Sequence, residues 1–510
     1  MSSRLRLQIF SSRSAVLSVL AVCLCTVGLA ASAASPDKPN ILILLADDLG
    51  WNDVSYHGSE IRTPNIDHIA QSGLELDRFY VQPSCSPTRA GLMTGRSPIS
   101  LGVYRPINKN AEHGLPLDQK ILPQYLAGHG YQSYMVGKWH LGHHARAQLP
   151  NARGFEHAYG SLTGGIGYWN KIHGGGYDWN RNGMTVREEG YATHLLTDEV
   201  LGLLDARDRD RPNFLYVAFQ APHMPNEAPQ ETVAQYADSP NPNRRDHAAM
   251  VAEMDQAIGK ILDAYKQHGM LDNTLVVFFS DNGGLVPAGP DSDTHTPAER
   301  IGVTVREWFG KPAPAWIPGL EFIATSAVDS ASDNTPLPGG KTLIAEGGVR
   351  VPAAIWWPGT LESAIEGGSN RVDHPITVSD VLPTILQAIG EEAAIPEDLD
   401  GQGHWRTLLG EPEPSPDYAV SGLLHGVAVY RWPYKFSDAE NPQLFDVMAD
   451  PLEQNNLAHA LPDKVAELND LLTNWTVGPD PGVPYFDLFF DPDTFGGKED
   501  RIPWADRVVE

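Results

Sequence analysis

Continuous apolar runs of strand length recur along the chain, and each of them gives way to polar residues. The clearest runs lie at 41–46, 214–219 and 275–279, and a further short strand is expected at 131–137. A run that is apolar on both faces predicts a buried strand of a parallel sheet. Apolar residues at helical spacing over 246–268 predict an amphipathic helix that covers such a sheet. The pattern therefore predicts an α/β fold, with a large mixed, mostly parallel sheet sandwiched by helices.

The polar residues that follow these strands are the first candidate site residues. In chain order they are Asp47, Asp48, Lys138, His140, His223, Asp281 and Asn282. Because the carboxyl ends of parallel strands meet at one edge of a sheet, we expect these side chains to converge there. Adjacent carboxylates after a buried strand, as at Asp47 and Asp48, are costly unless a cation meets them. The alternative is a solvated helix N-cap, which is common after such strands.

The carboxyl-terminal part of the chain has a different pattern. A linker rich in Pro and Glu is expected at 411–417. Segments 426–435 and 443–447 are typical of antiparallel strands, and 463–475 is typical of a helix with one apolar face. We therefore predict a smaller α+β subdomain, made of an antiparallel sheet and a helix.

The amino-terminal segment and the net charge indicate where the chain works and what it binds. Residues 1–34 contain Arg4, Arg6 and Arg13, an uncharged run and a small-residue cleavage site, which together predict a signal peptide. A membrane anchor is the alternative, but the run is short for a span. We expect a periplasmic or secreted protein without membrane attachment after cleavage. The net charge of −27 argues against nucleic acid and anionic membranes as partners, and any anionic substrate needs a local positive site.

One cysteine remains in the mature chain. Cys23 and Cys25 lie in the predicted signal peptide, so only Cys85 is left, and it cannot form an internal disulfide. Pro87 suits a helix start, which would put Cys85 at the positive end of a helix. Arg89 would project from the same turn toward the same space. Cys85 is therefore either chemically active or a small buried hydrophobe.

The stretch 85–96 resembles the type I sulfatase signature. It reads Cys-x-Pro-Thr-Arg followed by Leu-Met-Thr-Gly-Arg, and segments 137–155 and 346–350 look most like the arylsulfatase B-type branch. The resemblance implies that a separate maturation enzyme oxidises Cys85 to formylglycine, whose hydrated aldehyde is the nucleophile. It also implies one Ca²⁺ ion held by Asp47, Asp48, Asp281, Asn282 and the residue made from Cys85. Oxygen ligands alone suit Ca²⁺ or Mg²⁺, and a flexible set suits Mg²⁺ less well.

The same resemblance assigns a role to each remaining candidate. Arg89 would orient the nucleophile, while Lys138 and Lys341 would hold sulfate oxygens. His223, with Lys341, would assist departure of the alcohol. His140 would then take a proton from the second hydroxyl of the aldehyde hydrate, which expels sulfate. The implied activity is that of a sulfuric ester hydrolase.

The resemblance also sets the expected domain limits and substrate. We expect a signal peptide (1–34), a sulfatase catalytic domain (35–415) and a C-terminal subdomain (416–510). The stretch 285–337 is a long insertion that either faces the substrate or is a disordered excursion. A sulfated polysaccharide or oligosaccharide is the first choice of substrate. Aromatic residues suited to sugar rings contribute to that choice: Tyr168, Trp169, His173, Tyr177 and Trp179.

Three other functions stay open at this point. The chain could hydrolyse small aryl or alkyl sulfates. It could be a phosphodiesterase or phosphonate hydrolase of the same superfamily, although the Cys85 signature and the lack of a second His-rich ligand set argue against this. It could also be a non-catalytic glycan-binding relative, which hydrolysis of an aryl sulfate would exclude.

Overall fold

The computed structural model describes residues 38–109, 111–173, 176–285, 331–361, 369–411, 413–422, 426–437, 442–474 and 502–510. The predicted signal peptide and most of the predicted insertion, residues 286–330, lie outside the described residues. Part of the predicted linker at 411–417 also lies outside them.

The described residues form the following strands and α-helices. The strands are β1 (Asn40–Ala46), β2 (Leu74–Leu76), β3 (Phe79–Tyr80), β4 (Gln132–Lys138), β5 (His157–Ser161), β6 (Ile172–His173), β7 (Gly176–Tyr177), β8 (Asn180–Arg181), β9 (Met184–Thr185), β10 (Asn213–Ala218), β11 (Thr274–Ser280), β12 (Ala353–Trp356), β13 (Arg371–Val372), β14 (Ile376–Thr377), β15 (Tyr418–Ser421), β16 (Val427–Arg431), β17 (Tyr434–Ser437) and β18 (Gln443–Asp446). The α-helices are α1 (Pro64–Ser72), α2 (Cys85–Thr94), α3 (Leu122–Ala127), α4 (Ala192–Ala206), α5 (Gln230–Val233), α6 (Pro242–Gln267), α7 (Glu346–Val349), α8 (Val381–Ala388), α9 (Trp405–Leu408) and α10 (Pro462–Asn474).

A mixed sheet organises the main body, and over the described residues it has ten strands. Their order is β13, β2, β12, β11, β1, β10, β4, β5, β8 and β9. The five central strands, from β11 to β5, are parallel to one another. An antiparallel strand borders them on each side, β12 next to β11 and β8 next to β5. The three apolar runs in the sequence are β1, β10 and β11 of this parallel centre, and the short strand expected at 131–137 is β4. The predicted α/β fold class is confirmed.

Strand β1 shows why these runs are apolar at every position. Its residues Leu42 and Leu44 join one core, which packs against helices α1, α4 and α6. The alternate residues Ile41 and Ile43 join a second core, against helices α2, α3 and α8. Because both faces of the strand are buried, neither face carries a polar side chain.

A second sheet follows near the carboxyl end. Strands β15, β16, β17 and β18 form an antiparallel sheet in chain order, and helix α10 packs on it through Leu468. Strand β15 has no counterpart in the sequence prediction, and the single segment predicted at 426–435 is a hairpin of two strands, β16 and β17. Strand β18 and helix α10 fall within a few residues of their predicted positions. Among the described residues, no helix is both long enough and apolar enough to cross a membrane.

Candidate active site

The predicted site residues lie together at the carboxyl edge of the parallel strands. Hydrogen bonds between main chains continue past the strand ends, because Asp47 N donates to Ala221 O and Asp281 N donates to Ala46 O, both at 3.0 Å. These bonds align the loops that follow β1, β10 and β11. At this edge Asp47, Lys138 and Asp281 are fully buried.

Asp47 and Asp281 are each paired with a buried cation. Lys138 Nζ donates to Asp47 Oδ2 at 2.6 Å. Arg89, from the second turn of α2, donates from Nε and Nη2 to Asp281 Oδ2 at 2.9 and 2.7 Å. Its Nη1 donates to the carbonyl of Lys138 at 2.6 Å, which fixes the end of β4 relative to α2. A buried charge needs such partners to be tolerated.

Asp48 is held by the segment at 331–345. Lys341 Nζ lies 2.7 Å from both carboxylate oxygens of Asp48. Asn282 Nδ2 donates to Asp48 Oδ1 at 2.7 Å, and His223 Nε2 lies 3.8 Å from Asp48 Oδ2. Burial raises the pKa of Asp48, but Lys341 and His223 outweigh it and hold that pKa below its usual range.

Cys85 is the first residue of α2 and lies against His140. The Cys85 Sγ to His140 Nδ1 distance is 3.1 Å, and Cys85 is 3% exposed. His140 Nε2 lies 2.9 Å from the carbonyl of Ile107. Since a carbonyl only accepts, Nε2 carries the proton and Nδ1 presents its lone pair to Cys85. Burial lowers the pKa of His140 well below its usual value and raises the pKa of the Cys85 thiol, so both are neutral.

The family of the chain follows from comparison with known proteins. The sulfatase family profile matches residues 39–391. Mouse arylsulfatase J is 32% identical over 482 residues, which cover 86% of this chain and 76% of that protein. Human N-acetylgalactosamine-6-sulfatase is 32% identical over 409 residues, 75% of this chain and 68% of that protein. The chain belongs to the sulfatase family. It is a sulfuric ester hydrolase, as predicted from the stretch around Cys85.

One solved structure shares the fold of this chain over most of its length. The crystal structure of Ps i-CgsB in complex with k-i-k-neocarrahexaose is 29% identical to this sulfatase and has a TM-score of 0.73. The match covers 88% of this chain and 94% of that chain.

The sulfatase family uses a divalent metal, and the donor atoms here fit one. Within the described part of the chain, Asp47 Oδ1 and Asn282 Oδ1 are buried without a hydrogen-bond partner. Potential ligand atoms of Asp47, Cys85 and Asp281 lie within 4.8 Å of one another, and so do those of Asp47, Asp48 and His223. Burial, with the neighbouring carboxylate Asp47, raises the pKa of Asp281 to about 6. Burial likewise raises the pKa of Asp47. Unpartnered oxygens on crowded buried acids are what a hard cation satisfies.

Several residues that stabilise the main chain around this sulfatase site were not predicted from the sequence. Ser332 Oγ donates to the carbonyl of Asp48 at 3.2 Å, and Asn334 Nδ2 donates to that of Gly284 at 2.9 Å. Ser86 Oγ donates to the carbonyl of His140 at 2.8 Å. Each of these side chains binds main chain across a long sequence separation. No local pattern in the sequence predicts such a hydrogen bond.

The prediction that aromatic residues at 168–179 form a surface for sugar rings is wrong for most of those residues. Tyr168, Tyr177 and Trp179 are buried in the core of the sulfatase instead of facing a substrate. Tyr168 donates from its hydroxyl to the carbonyl of His223 at 2.9 Å, so it helps to fix the main chain at His223. Trp169 differs, because 49% of its surface is exposed. His173 is half-buried, so Trp169 is the one exposed ring of the five, and it packs against Tyr191 with 5.1 Å between ring centroids.

Proposed function

We propose that this sulfatase hydrolyses sulfate monoesters of a carbohydrate, using formylglycine made from Cys85 and one Ca²⁺ ion. The observation that carries the proposal is the contact of Cys85 with His140 at 3.1 Å, inside a buried set of acids and cations. Cys85 is also the only free cysteine among the described residues. A buried thiol with a raised pKa is a poor nucleophile as it stands, which favours its conversion to another group.

Asp47, Asp48, Asp281 and Asn282 hold the metal in this proposal. The two orphaned oxygens, Asp47 Oδ1 and Asn282 Oδ1, are its first ligand atoms. The bound ion supplies positive charge that favours ionisation of a nearby hydroxyl. Ca²⁺ is favoured over Mg²⁺ because irregular carboxylate and amide sets suit its larger, more flexible shell.

The charge balance of the site supports a sulfate substrate. Arg89, Lys138 and Lys341 face Asp47, Asp48 and Asp281, three cations against three carboxylates. A divalent cation therefore leaves the site with net positive charge. That local excess attracts a sulfate monoester to a chain whose overall charge is −27.

Each side chain of the site has a separate role in the proposed reaction. Hydrated formylglycine supplies a hydroxyl nucleophile and a second ionisable hydroxyl. Lys138 and Lys341 hold sulfate oxygens by charge-assisted hydrogen bonds. His223 and Lys341 stand beside Asp48 and assist departure of the alcohol oxygen. His140 takes the proton of the second hydroxyl through Nδ1, which is the unprotonated nitrogen that lies against Cys85.

Mass spectrometry of the tryptic peptide that spans residues 79–89 tests the nucleophile. We expect the mass loss that accompanies conversion of the Cys85 thiol to an aldehyde, when the protein is made with a formylglycine-generating enzyme. Cys85→Ala is expected to abolish hydrolysis of an aryl sulfate. An unmodified thiol together with full activity would contradict the proposal.

Removal of the metal tests the second part. We expect a chelator to abolish aryl sulfate hydrolysis, with recovery on addition of Ca²⁺ and weaker recovery with Mg²⁺. Asn282→Ala is expected to raise the Ca²⁺ concentration needed for half recovery, because it deletes one orphaned oxygen. Full activity in the presence of the chelator would contradict a metal requirement.

The substrate class rests on the relatives and on one exposed ring. One relative is named N-acetylgalactosamine-6-sulfatase. The similar crystal structure, that of Ps i-CgsB, is a complex with k-i-k-neocarrahexaose. Trp169 offers an exposed face of the type that stacks on sugar rings. We expect a higher kcat/KM with a sulfated oligosaccharide than with a small aryl sulfate. The reverse order would favour small aryl or alkyl sulfates.

We also propose that the chain is exported and that its parts follow the predicted limits. The signal peptide at 1–34 would direct it to the periplasm or outside the cell, where a sulfated polysaccharide is available. The catalytic domain would end near residue 415, before the four-stranded sheet. Amino-terminal sequencing of the mature protein from the native host tests the cleavage.

A further inference from the structure

Two adjacent glycines touch the two histidines of the site. A Cβ built on Gly164 would lie 2.8 Å from Cε1 of His140, and one built on Gly165 would lie 2.9 Å from Cε1 of His223. Carbon atoms do not approach so closely, so any side chain at 164 or 165 would displace a ring. Neither glycine has a positive φ, and so backbone conformation does not explain why they are glycines.

The segment that carries these glycines is fixed on both sides. Before them, Asp178 accepts hydrogen bonds from Leu162 N and Thr163 N at 2.9 and 2.8 Å. After them, Tyr168 N donates to Glu227 at 2.7 Å. The segment therefore cannot swing away to make room for a side chain.

The two rings are also fixed from their other sides. His140 lies between Ile107 O, 2.9 Å from its Nε2, and Cys85 Sγ, 3.1 Å from its Nδ1. His223 Nδ1 donates to the carbonyl of Met224 at 2.7 Å. The main chain of Gly164 packs against the ring of His140, and that of Gly165 packs against the ring of His223. A displaced ring would lose one of these contacts.

We propose that Gly164 and Gly165 are positioning residues, each of which sets the place of one histidine. The inference rests on the proposed function, in which His223 serves the departure of the alcohol and His140 serves the release of sulfate. Gly165 then controls the first half of the reaction and Gly164 the second. A displacement of about 1 Å at a reacting group can cost on the order of 100-fold in rate.

Gly164→Ala and Gly165→Ala, compared with Gly202→Ala, test the proposal. Gly202 lies in helix α4, and a Cβ there meets nothing within 4 Å. With aryl sulfates of graded leaving-group pKa, we expect Gly165→Ala to lose at least about tenfold in kcat/KM with poor leaving groups and little with good ones. We expect Gly164→Ala to lose kcat by a similar factor while kcat/KM for good leaving groups is kept.

A second readout needs no turnover. In protein labelled with ¹³C at histidine Cε1, His140→Gln and His223→Gln assign the two signals. We expect Gly164→Ala to shift the His140 signal alone and Gly165→Ala to shift the His223 signal alone. Two variants that resemble Gly202→Ala in both readouts, or that each move both signals, overturn the inference.

The outcomes separate this inference from the proposed function. If the unmutated enzyme hydrolyses no sulfate ester, the proposed function fails, while the histidine signals still decide the role of the glycines. If Gly164→Ala prevents folding, the double variant with His140→Ala must fold again, because the ring that the new methyl group meets is gone. Failure of that rescue contradicts the contact.

Discussion

At the scale of single residues, the site depends on which nitrogen of His140 carries a proton. The main-chain carbonyl of Ile107 fixes that proton on Nε2, and burial keeps the ring neutral. A neutral imidazole with its lone pair aimed at position 85 is ready to act as a base at neutral pH. The tautomer is set by a loop carbonyl and not by another catalytic side chain.

His140→Ala is therefore expected to lower kcat by about 10²–10⁴-fold. The protein should keep its fold, because the lost contacts are two hydrogen bonds of a small ring. His68→Ala is the matched control, since His68 is exposed on helix α1. Steady-state kinetics with an aryl sulfate measures both, and an unchanged kcat in His140→Ala would rule out its role as the base.

Trp169→Ala is expected to affect only the larger substrate. Loss of a stacking face should lower kcat/KM for a sulfated oligosaccharide by about tenfold, or roughly 1.4 kcal/mol, and leave the aryl sulfate unchanged. Leu117→Ala is the control, because Leu117 is similarly exposed, at 57%. Equal losses on both substrates would mean that Trp169 acts on the reaction and not on the sugar.

At the scale of elements, Asp53 joins the loop after β1 to helix α6 and to the segment that bears Lys341. Its Oδ2 accepts from Gly50 N at 3.0 Å and lies 3.1 Å from His247 Nε2. Its Oδ1 pairs with Arg244 and accepts from Asp333 N. Burial would raise the pKa of Asp53, but His247 and Arg244 lower it to about 2.

Asp53→Asn is expected to lower the free energy of unfolding at neutral pH by about 3 kcal/mol, because Arg244 loses a buried partner. The folded-state pKa of Asp53 lies below its ordinary 3.8, so this contribution is complete above that value and is lost as the pH falls toward about 2. The difference between variant and wild type should therefore shrink in acid. Denaturant unfolding at several pH values measures it. Asp398→Asn, on an exposed pair with Arg96, should change little at any pH.

Sequence patterns predicted the elements of this protein better than they predicted the contacts between them. The apolar runs located β1, β10 and β11, because burial on both faces leaves a continuous signal. The polar residues after those strands could be predicted as one cluster because parallel strands share an edge. Ser332, Asn334 and the glycines at 164 and 165 could not, since each acts through a contact with a distant segment. Tyr168 and Trp179 were misjudged because composition does not distinguish a buried ring from an exposed one.

At the scale of the whole molecule, a buried ionic network joins the four-stranded sheet to helix α7 and strand β3. Lys435, on strand β17, lies 3.3 Å from Glu346 and 2.7 Å from Glu453. Glu346, on helix α7, accepts from Tyr80 and Tyr430 at 2.8 and 3.1 Å. Residues from Pro39 onward form one compact unit, and this network lies within it.

Lys435→Met is expected to lower the free energy of unfolding by about 3–5 kcal/mol, since it leaves two buried carboxylates without their cation. Calorimetry should show one transition, shifted to lower temperature as a whole. Lys464→Met, on the half-exposed pair with Glu467, should cost less than about 1 kcal/mol. Two separate transitions in the variant would show that the smaller sheet unfolds by itself.

The central place of β1 has a consequence for how long the enzyme lasts. Strand β1 is hydrogen-bonded to β10 and β11 along its length, and its alternate residues fill two cores. A slip of one residue would exchange the contents of both cores, so Asp47 and Asp48 cannot drift while the sheet persists. Loss of activity on heating and loss of the fold should then follow one time course. We expect the folded fraction and the catalytic activity to fall together, which parallel measurements of circular dichroism and activity on heating would check.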